Sequence, residues 1–280
     1  MIEEVGGILR RAARRAVLPL FQHLAEGDVK EKAPGDVVTV ADHHAEVIIA
    51  AGLRDLLPDS TVIGEEGVAA DPALLDRLLD AGPVWLVDPV DGTANFAAGR
   101  GPFKMMVALL RDGVTEAGWI LDPRTDSLAW AQRGSGAYLD GVRVRVADRA
   151  DPVRPESLRG SVASRFLPQP LRSGVERRAG RLGKVLPSLR CAGQEYPNIV
   201  DGTQDFALFW RTLPWDHAPG ALFAEEAGGV VRGLDGSSYG PTRDAVPGLL
   251  AAASEDIWRE VHWLLFPGER PVGDRPTTLR

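Results

Sequence analysis

The sequence predicts an α+β or mixed α/β fold, with helices and sheets in both halves of its 280 residues. Some segments place apolar residues every three or four positions, which is the spacing of one helical face. Other segments are short apolar runs bounded by Gly, Pro, Asn and Asp, which is typical of β-strands. The two patterns alternate along the chain without an internal repeat, so both kinds of element are expected to share one structure.

The first half of the chain is predicted to contain helices and a hairpin-rich sheet. The apolar residues of the first 24 positions recur on one face of a helix. The solvent-exposed face of that helix is expected to carry Arg10, Arg11, Arg14 and Arg15. Arg111-Asp112-Gly113 separates two apolar runs, which is a hairpin signal. In order, the predicted elements are an opening helix, helix 41–57, strand 61–63, helix 73–79, strand 84–87, hairpin 105–110 with 114–121, strand 128–131 and a hairpin at 138–142.

The second half is predicted to alternate short strands with helices. The proline-rich stretch 151–155 marks a seam, so we expect an N-terminal half over 1–150, a C-terminal half over 151–267 and a loose tail over 268–280. Gly228-Gly229 is a usual helix stop. The predicted elements are strands 161–163, 185–189, 206–210, 230–231 and 249–253, with helices over 216–227 and 255–265.

Composition narrows the classes of function. Thirty-two basic and 39 acidic residues give a net charge of −7, which disfavours generic binding to nucleic acid or anionic lipid. No run of 18 apolar residues predicts a membrane span, and the N-terminus lacks the features of a secretory signal. The single Cys191 cannot form an internal disulfide, which suits a reducing compartment. We therefore expect a cytoplasmic protein without nucleic-acid or membrane partners.

Three groups of carboxylates stand at the edges of predicted elements. Glu65-Glu66 and Asp88-Pro89-Val90-Asp91 each follow a strand, and Asp216 begins a helix. Taken singly, such residues are often turn formers, caps or solvated loop residues. Brought together they would repel one another unless cations neutralised them. Carboxylates without Cys or His partners select a hard cation, Mg²⁺ before Zn²⁺.

The spacing of the second group suggests a combined metal and phosphate site. Pro89 kinks the chain as it leaves the strand, so that Asp88 and Asp91 can face one side while the Val90 carbonyl offers another oxygen. If a helix begins at Gly92-Thr93, its free N–H groups can bind phosphate beside the ions. This layout suits in-line attack on a phosphate by water.

With these residues in place, the chain resembles the inositol monophosphatase family of Mg²⁺-dependent, often Li⁺-sensitive phosphatases. The resemblance covers roughly residues 1–265. It rests on four strings in the family's order, which are Thr39-Val40-Ala41-Asp42, then Val62-Ile63-Gly64-Glu65-Glu66, then Trp85-Leu86-Val87-Asp88-Pro89-Val90-Asp91-Gly92-Thr93-Ala94-Asn95-Phe96, and Trp215-Asp216-His217-Ala218-Pro219-Gly220 leading to Glu226-Ala227-Gly228-Gly229.

The resemblance implies a layered α-β-α-β-α sandwich, hydrolysis of a phosphate monoester, and two or three Mg²⁺ ions. Glu65, Asp88 and the Val90 carbonyl would hold the first ion. Asp88, Asp91 and Asp216 would hold the second, and a third, weaker ion would lie near Glu65. The resemblance also implies a homodimer.

The resemblance further implies roles in catalysis and substrate binding. Thr93, oriented by Asp42, would act with Glu65 to position and deprotonate the attacking water. The Gly92 and Thr93 amides would hold the phosphate, with Asp91 and Asp216 also facing the substrate.

The sequence departs from the family's pattern where the substrate alcohol would lie. Inositol phosphatases carry a glutamate shortly before the string that begins here with Trp215-Asp216, whereas 206–211 reads Phe-Ala-Leu-Phe-Trp-Arg. Glu195 either replaces that hydroxyl ligand or caps the next helix. Arg211 either meets a second anionic group or is a surface residue.

The substrate therefore stays open at this stage. The candidates are an inositol phosphate or related sugar or cyclitol phosphate, with histidinol phosphate and a 3′-phosphoadenosine nucleotide as alternatives. A non-catalytic protein that binds a phosphorylated ligand on the same fold is the alternative outside enzymes. Because every matched metal ligand is present, the sequence favours the enzyme.

Overall fold

Two β-sheets and three layers of helices alternate through the molecule. The structure is a computed structural model, which describes residues 1–33, 36–147, 152–242 and 248–268. The order of the layers is α-β-α-β-α, so the predicted sandwich is confirmed.

The described residues form eight α-helices. The first continues directly into a π-helical turn at Ala13–Val17 and a 3₁₀ turn at Leu18–Leu20. Further 3₁₀ helices lie at Pro72–Leu79, Pro155–Ser157 and Ser164–Phe166. The α-helices are α1 (Ile2–Ala12), α2 (Val40–Leu56), α3 (Glu65–Ala70), α4 (Thr93–Ala97), α5 (Leu171–Ala179), α6 (Ala192–Val200), α7 (Pro214–Glu226) and α8 (Glu255–Leu265).

Fourteen strands are formed within the same described ranges. A small antiparallel hairpin consists of β1 (Val29–Ala33) and β2 (Asp36–Thr39). The strands of the first sheet are β3 (Thr61–Gly64), β4 (Pro83–Asp91), β5 (Lys104–Arg111), β6 (Val114–Leu121), β7 (Leu128–Gln132), β8 (Gly136–Leu139) and β9 (Val142–Val144). Those of the second sheet are β10 (Arg159–Val162), β11 (Lys184–Leu186), β12 (Phe206–Phe209), β13 (Val230–Gly233) and β14 (Leu249–Ala252).

The first sheet has its seven strands in chain order from β3 to β9. β3 and β4 run parallel, and each later strand is antiparallel to the one before it. Side chains alternate between its two faces. Trp85 and Val107 pack with Leu9 and Leu53 of the outer helices α1 and α2. The opposite face carries Met106, Ile120 and their neighbours against α7.

The second sheet has the order β11-β10-β12-β14-β13. β10 runs parallel to both β11 and β12, so these three strands end at the same edge. α6 and α7 form the middle layer and pack between the two sheets, and α5 and α8 cover the outer face of the second sheet.

The predicted elements do not include β1, β2, α5 or α6, and they end β4 too early. The sequence predicted a strand over 84–87 that the chain leaves at Asp88-Pro89, where proline kinks it. The strand instead continues to Asp91, which pairs with Lys104 beyond an irregularity in the register after Asp88. Proline is tolerated at such a bulge because no ladder hydrogen bond is required there.

In the sequence, the strands of the first sheet precede the predicted seam at 151–155, and those of the second sheet follow it. Asp151 lies outside the described residues. The proposed halves stay a prediction, and the predicted tail falls beyond the described part except for Gly268. Among the helices that the structure describes, none combines the length and hydropathy needed to cross a membrane.

Candidate functional site

Three of the predicted carboxylates meet in one small volume. Oxygen atoms of Glu65, Asp88 and Asp216 all lie within 4.8 Å of one another. Glu65 stands where β3 ends and α3 begins, Asp88 lies in β4, and Asp216 lies in the first turn of α7. Because β3 and β4 are parallel neighbours, their carboxyl ends reach the same edge of the first sheet, and α7 approaches that edge from the middle layer.

The end of β4 places Asp88 and the residues that follow it. Asp88 Oδ1 accepts a hydrogen bond from the Val90 amide at 3.0 Å, which closes a tight local turn. Gly92 then adopts φ +91°, and α4 begins at Thr93 as predicted. A Cβ at position 92 would lie 2.9 Å from the Pro102 carbonyl oxygen, so this close approach requires glycine.

Asp91 lies in the wall of the same cavity. It is buried, and its Oδ2 accepts a hydrogen bond from the Gly193 amide at 2.6 Å. A Cβ at position 193 would lie 3.1 Å from that oxygen. The first turn of α6 therefore holds Asp91 against the cluster.

Thr93 and Asp42 lie beside the carboxylates, with Thr93 at the start of α4 and Asp42 at the start of α2. The Thr93 hydroxyl is within hydrogen-bonding distance of Asp42 Oδ1 and of the Val90 carbonyl. Asp42 Oδ2 accepts hydrogen bonds from the Thr39 amide at 2.8 Å and the Thr39 hydroxyl at 2.6 Å. This arrangement is the capping box of α2, and it fixes the carboxylate that Thr93 contacts.

Lys32 and Glu66 belong to the site although neither was predicted as a ligand or catalytic residue. Lys32 Nζ, from the β1–β2 hairpin, lies 2.7 Å from Glu65 Oε1 and 2.9 Å from Glu66 Oε1. Burial alone would lower the pKa of Lys32, but the two carboxylates raise it above its usual value. Lys32 is 33 residues from Glu65 in sequence, so no local spacing signals the contact.

Without counter-ions, negative charges on the clustered carboxylates would repel one another strongly. Burial, with the charges of Glu65, Asp91 and Asp216, raises the pKa of Asp88 well above its ordinary value. Burial raises the pKa of Glu65 to about 7 despite Lys32, and burial also raises the pKa of Asp91. Divalent cations relieve such repulsion, and an all-oxygen donor set suits a hard ion. The residues present therefore fit Mg²⁺.

Glu46 supports the loop that carries Glu65. Its carboxylate, on α2, accepts hydrogen bonds from the Glu66 and Gly67 amides, both at 2.8 Å. It thereby satisfies two of the free N–H groups at the start of α3. A Cβ at Gly64 would lie 2.2 Å from the Glu46 carboxyl carbon, so glycine is required for this contact.

Both carboxylate oxygens of Glu195 accept hydrogen bonds from other residues of the protein. It is buried in the first turn of α6, where Oε2 accepts from Ser161 and Gln204 at 2.8 Å and Oε1 accepts from the Leu189 amide at 3.0 Å. This geometry connects α6 to β10 and to the loop after β11. It gives the carboxylate an internal structural role, different from both the hydroxyl ligand and the helix cap considered from the sequence.

A cavity of about 460 Å³ opens over the cluster. Its walls include Glu65, Asp88, Asp91, Thr93 and Asp216, so the structure gathers five of the predicted site residues at one opening. Val90, Gly92 and Glu195 also reach the wall, whereas Asp42 is buried behind Thr93. The volume suits a small metabolite.

The model of the Inositol monophosphatase family matches residues 1–265. Among curated relatives, a Thermotoga maritima protein named fructose-1,6-bisphosphatase/inositol-1-monophosphatase is 32% identical over 222 residues, covering 78% of this chain and 80% of its own. The inositol-1-monophosphatase of Mesorhizobium japonicum is 35% identical over 235 residues, covering 80% and 82%. A protein named Nus factor SuhB from Vibrio cholerae is 32% identical over 247 residues, covering 81% and 84%.

Solved structures show the same fold. The Thermotoga maritima IMPase superposes with a TM-score of 0.77 at 26% identity, covering 94% of this chain and 96% of its own.

Proposed function

Because the chain belongs to the inositol monophosphatase family, we propose that it is a Mg²⁺-dependent hydrolase of small phosphate monoesters. The observation that carries the proposal is the convergence of Glu65, Asp88 and Asp216 within 4.8 Å at the floor of an open cavity. Buried carboxylates at this separation repel one another unless they take up protons or bind cations, and both assigned ions would relieve that repulsion. A phosphate ester is a ligand that such cations attract.

We assign the metal ligands as the resemblance implies. Glu65, Asp88 and the Val90 carbonyl would hold one ion, and Asp88, Asp91 and Asp216 would hold a second. A third, weaker ion near Glu65 would meet Lys32, which already contacts that carboxylate. Bound Mg²⁺ supplies positive charge for the phosphate oxygens and makes water more acidic.

The chain's own residues orient the reaction. When the Thr93 hydroxyl donates a hydrogen bond to Asp42, its lone pairs are left to accept a hydrogen bond from the attacking water, which positions that water. Glu65 is the neighbouring carboxylate that receives a proton in this scheme. The water oxygen forms a bond to phosphorus as its proton passes to Glu65, and the bond between phosphorus and the ester oxygen breaks. The departing alkoxide takes a proton from solvent water, and inorganic phosphate and the free alcohol leave. The amides of Gly92 and Thr93, at the first turn of α4, bind the phosphate oxygens.

The substrate is a small phosphorylated metabolite. An inositol phosphate or a related sugar or cyclitol phosphate is the first candidate, because two relatives carry these activities in their names. Histidinol phosphate and a 3′-phosphoadenosine nucleotide are the alternatives. Since both Glu195 oxygens accept hydrogen bonds from the protein, we do not place a substrate hydroxyl on this residue.

Phosphate release tests this proposal directly. The purified protein is incubated with inositol 1-phosphate, sugar phosphates, histidinol phosphate and adenosine 3′-phosphate, with Mg²⁺ or with EDTA. We expect hydrolysis of at least one ester with Mg²⁺ and none with EDTA. Asp91→Asn should retain the fold by circular dichroism and lose nearly all turnover.

Binding of a phosphate ester without any hydrolysis would instead support the non-catalytic alternative. Turnover that is unaffected by EDTA would contradict the metal mechanism. Inhibition by Li⁺ and a homodimer are further expectations of the family, to be checked in the same assay and by light scattering.

A further inference from the structure

A buried histidine in the cavity wall has no part in the proposed chemistry. His217 is 2% exposed, follows Asp216 in the first turn of α7 and lines the cavity. Its Nε2 lies 2.9 Å from the Arg211 carbonyl oxygen, and its Nδ1 lies 2.9 Å from the Tyr196 hydroxyl. Because the protein engages both ring nitrogens, His217 is not placed to exchange protons with a substrate.

The chemistry of the partners fixes the direction of these two hydrogen bonds. A carbonyl oxygen can only accept, so the Nε2 atom of His217 carries a proton and donates to the Arg211 carbonyl. In the neutral ring Nδ1 is then the acceptor, and the Tyr196 hydroxyl donates to it. The hydrogen bonds therefore run from α6, through His217 on α7, to the backbone of the residues that precede α7.

Helix packing places the His217 ring independently of the Arg211 carbonyl. A Cβ at Gly220 would overlap the Tyr196 ring, so α6 and α7 approach this closely only with glycine at that position. Gly220 is three residues after His217 and lies on the same face of α7. The Phe209 ring completes the packing, with its centroid 5.4 Å from that of Tyr196 and 4.8 Å from that of His217.

The Arg211 carbonyl belongs to a connecting segment, residues 210–213, between β12 and α7. As the structure describes them, these four residues lie in no helix or strand, and Trp210, Arg211 and Leu213 line the cavity. By contrast, most residues of α7 from Pro214 to Ala224 are buried. Loss of the His217 hydrogen bond would therefore loosen segment 210–213 before it displaced the helix.

Resting on the proposed function, we propose that His217 is a positioning residue for substrate selection, which holds segment 210–213 in the shape that contacts the alcohol part of the substrate. Asp216 and His217 are neighbours in one helical turn, so the segment keeps a fixed place relative to the assigned metal ligand. The phosphate is assigned to the ions and to the first turn of α4. His217 therefore affects which ester binds, and it has little effect on the bond-breaking step.

Two amide side chains of different length test the contact with the Arg211 carbonyl. The amide nitrogen of Gln can take the position of Nε2 and donate to that carbonyl, whereas the shorter Asn ends near the position of Nδ1. His217→Asn should therefore release segment 210–213, and His217→Gln should retain it. His44→Asn is the matched control, because His44 is exposed on α2 and is not among the residues of the cavity wall.

Steady-state kinetics with large and small esters measure the selection. Phosphate release is followed for inositol 1-phosphate, histidinol phosphate and adenosine 3′-phosphate, and for methyl phosphate, whose one-carbon alcohol extends least from the phosphate. For the best of the larger esters, we expect His217→Asn to raise KM about five- to tenfold, as the loss of one hydrogen bond allows, with kcat within about twofold. Methyl phosphate hydrolysis and Mg²⁺ affinity, measured by calorimetry, should be unchanged, and His217→Gln should resemble the wild type.

Limited proteolysis detects the loosening without any turnover. The bond after Arg211 is a trypsin site inside segment 210–213, and Arg211 is exposed. We expect cleavage there, identified by mass spectrometry in EDTA, to be about tenfold faster in His217→Asn than in the wild type, His217→Gln or His44→Asn. If His217→Asn does not fold by circular dichroism, Tyr196→Phe replaces it, because loss of that hydroxyl no longer fixes Nδ1 as the acceptor and weakens the same contact.

Several results would overturn the inference. An equal loss of activity on methyl phosphate, or weaker Mg²⁺ binding, would mean that His217 acts through Asp216. Unchanged KM or unchanged cleavage in the Asn variant would mean that the contact does not shape the cavity, and a Gln variant as impaired as the Asn variant would exclude the Arg211 hydrogen bond. Release of phosphate from none of the esters by the wild type would instead refute the proposed function itself, and with it the selection of substrate.

Discussion

The Thr93 hydroxyl lies 3.1 Å from Asp42 Oδ1, although the two residues are 51 positions apart in sequence. The same hydroxyl lies 2.9 Å from the Val90 carbonyl. A hydroxyl has one proton, so it donates to one of these oxygens at a time and keeps its lone pairs available on the other side. The capping box of α2 fixes Asp42, and the turn after β4 fixes Thr93, so two independent local structures meet at this contact.

Removing the Thr93 hydroxyl should therefore abolish most of the catalysis. For Thr93→Ala we expect kcat to fall by about 10²–10⁴, the usual contribution of positioned proton transfer, with a smaller change in KM. Thr93→Ser keeps the hydroxyl and should recover most of the rate. A steady-state assay with the hydrolysed ester separates kcat from KM. An Ala variant as active as the Ser variant would remove Thr93 from the mechanism.

The burial of Asp42 predicts a pH dependence of stability in the metal-free protein. Burial raises the pKa of Asp42 to about 6, with Glu66 adding to it, against hydrogen bonds from Thr39 and Thr93 that lower it. Because the folded pKa lies above the unfolded value of 3.8, the folded state holds the proton more tightly. This contribution stabilises the fold at acid pH and is lost as pH rises through about 6.

Denaturant unfolding of the wild type and Asp42→Asn measures that contribution. Between pH 4.5 and pH 7 in EDTA, we expect the wild type to lose roughly 2 kcal/mol relative to the variant. The charge of Asp42 also helps to raise the pKa of Glu65 and of Asp88, so the difference between the two proteins includes its effect on both carboxylates. A difference between them that is constant over this range would contradict the raised pKa of Asp42.

Much of the fold was predictable because its signals are local. Helix 255–265 begins after Ser254, whose hydroxyl accepts a hydrogen bond from the Ile257 amide, and its predicted bounds are those observed. The hairpin at 105–121 was marked by its turn. The end of β4 was predicted too early, because the bulge that accommodates Pro89 depends on pairing with β5, which no local pattern reveals.

Some residues of the candidate site were likewise predictable from the local sequence, and others were not. The convergence of Glu65, Asp88 and Asp216 was predictable because each lies near a strand end or a helix start within a recognisable string. Glu46 was not predicted, and neither was the gathering of Arg165, Arg172 and Arg190 at the cavity beside Arg211. Glu46 reaches its partners across 20 residues, and the arginines converge only because three strands of the second sheet are parallel. Such contacts are set by topology, which the local sequence does not encode.

Glu46 should act as a positioning residue for the proposed metal ligand Glu65. Its hydrogen bonds to the Glu66 and Gly67 amides hold the first turn of α3, so Glu46→Ala should loosen Glu65. We expect Mg²⁺ affinity, measured by calorimetry, to fall about 10–100-fold, as is usual for groups that orient metal ligands. Asp55→Ala is the matched control, because Asp55 is exposed on the same helix. Unchanged affinity in Glu46→Ala would make its role one of fold stability alone.

Gly64→Ala tests the same contact from the opposite side. The new Cβ would lie 2.2 Å from the Glu46 carboxyl carbon, so Glu46 must leave its hydrogen bonds. We expect the loss of Mg²⁺ affinity to resemble that of Glu46→Ala. The double variant should lose little more than either single variant, because both act through one contact. Additive losses would show that the two changes act independently.

The negative charge of Asp88 should lower the stability of the metal-free protein, although Mg²⁺ binding needs it. It is buried among Glu65, Asp91 and Asp216, so neutralising it removes repulsion in the metal-free protein. Asn at this position keeps the oxygen that accepts from the Val90 amide. In EDTA we expect Asp88→Asn to raise the Tm by roughly 4 °C, since 1 kcal/mol corresponds to about 2–4 °C in a chain of comparable size. In Mg²⁺ the wild type should gain stability by binding, and the variant should not.

Differential scanning calorimetry with and without Mg²⁺ checks both halves of this prediction. Asp59→Asn, an exposed carboxylate outside the cavity, is the control and should leave the Tm and the Mg²⁺ effect unchanged. A lower Tm for Asp88→Asn in EDTA would mean that its charge supports the fold. A wild-type-like rise with Mg²⁺ in the variant would mean that the ions bind elsewhere, because a ligand shared by both assigned ions cannot be removed without weakening both.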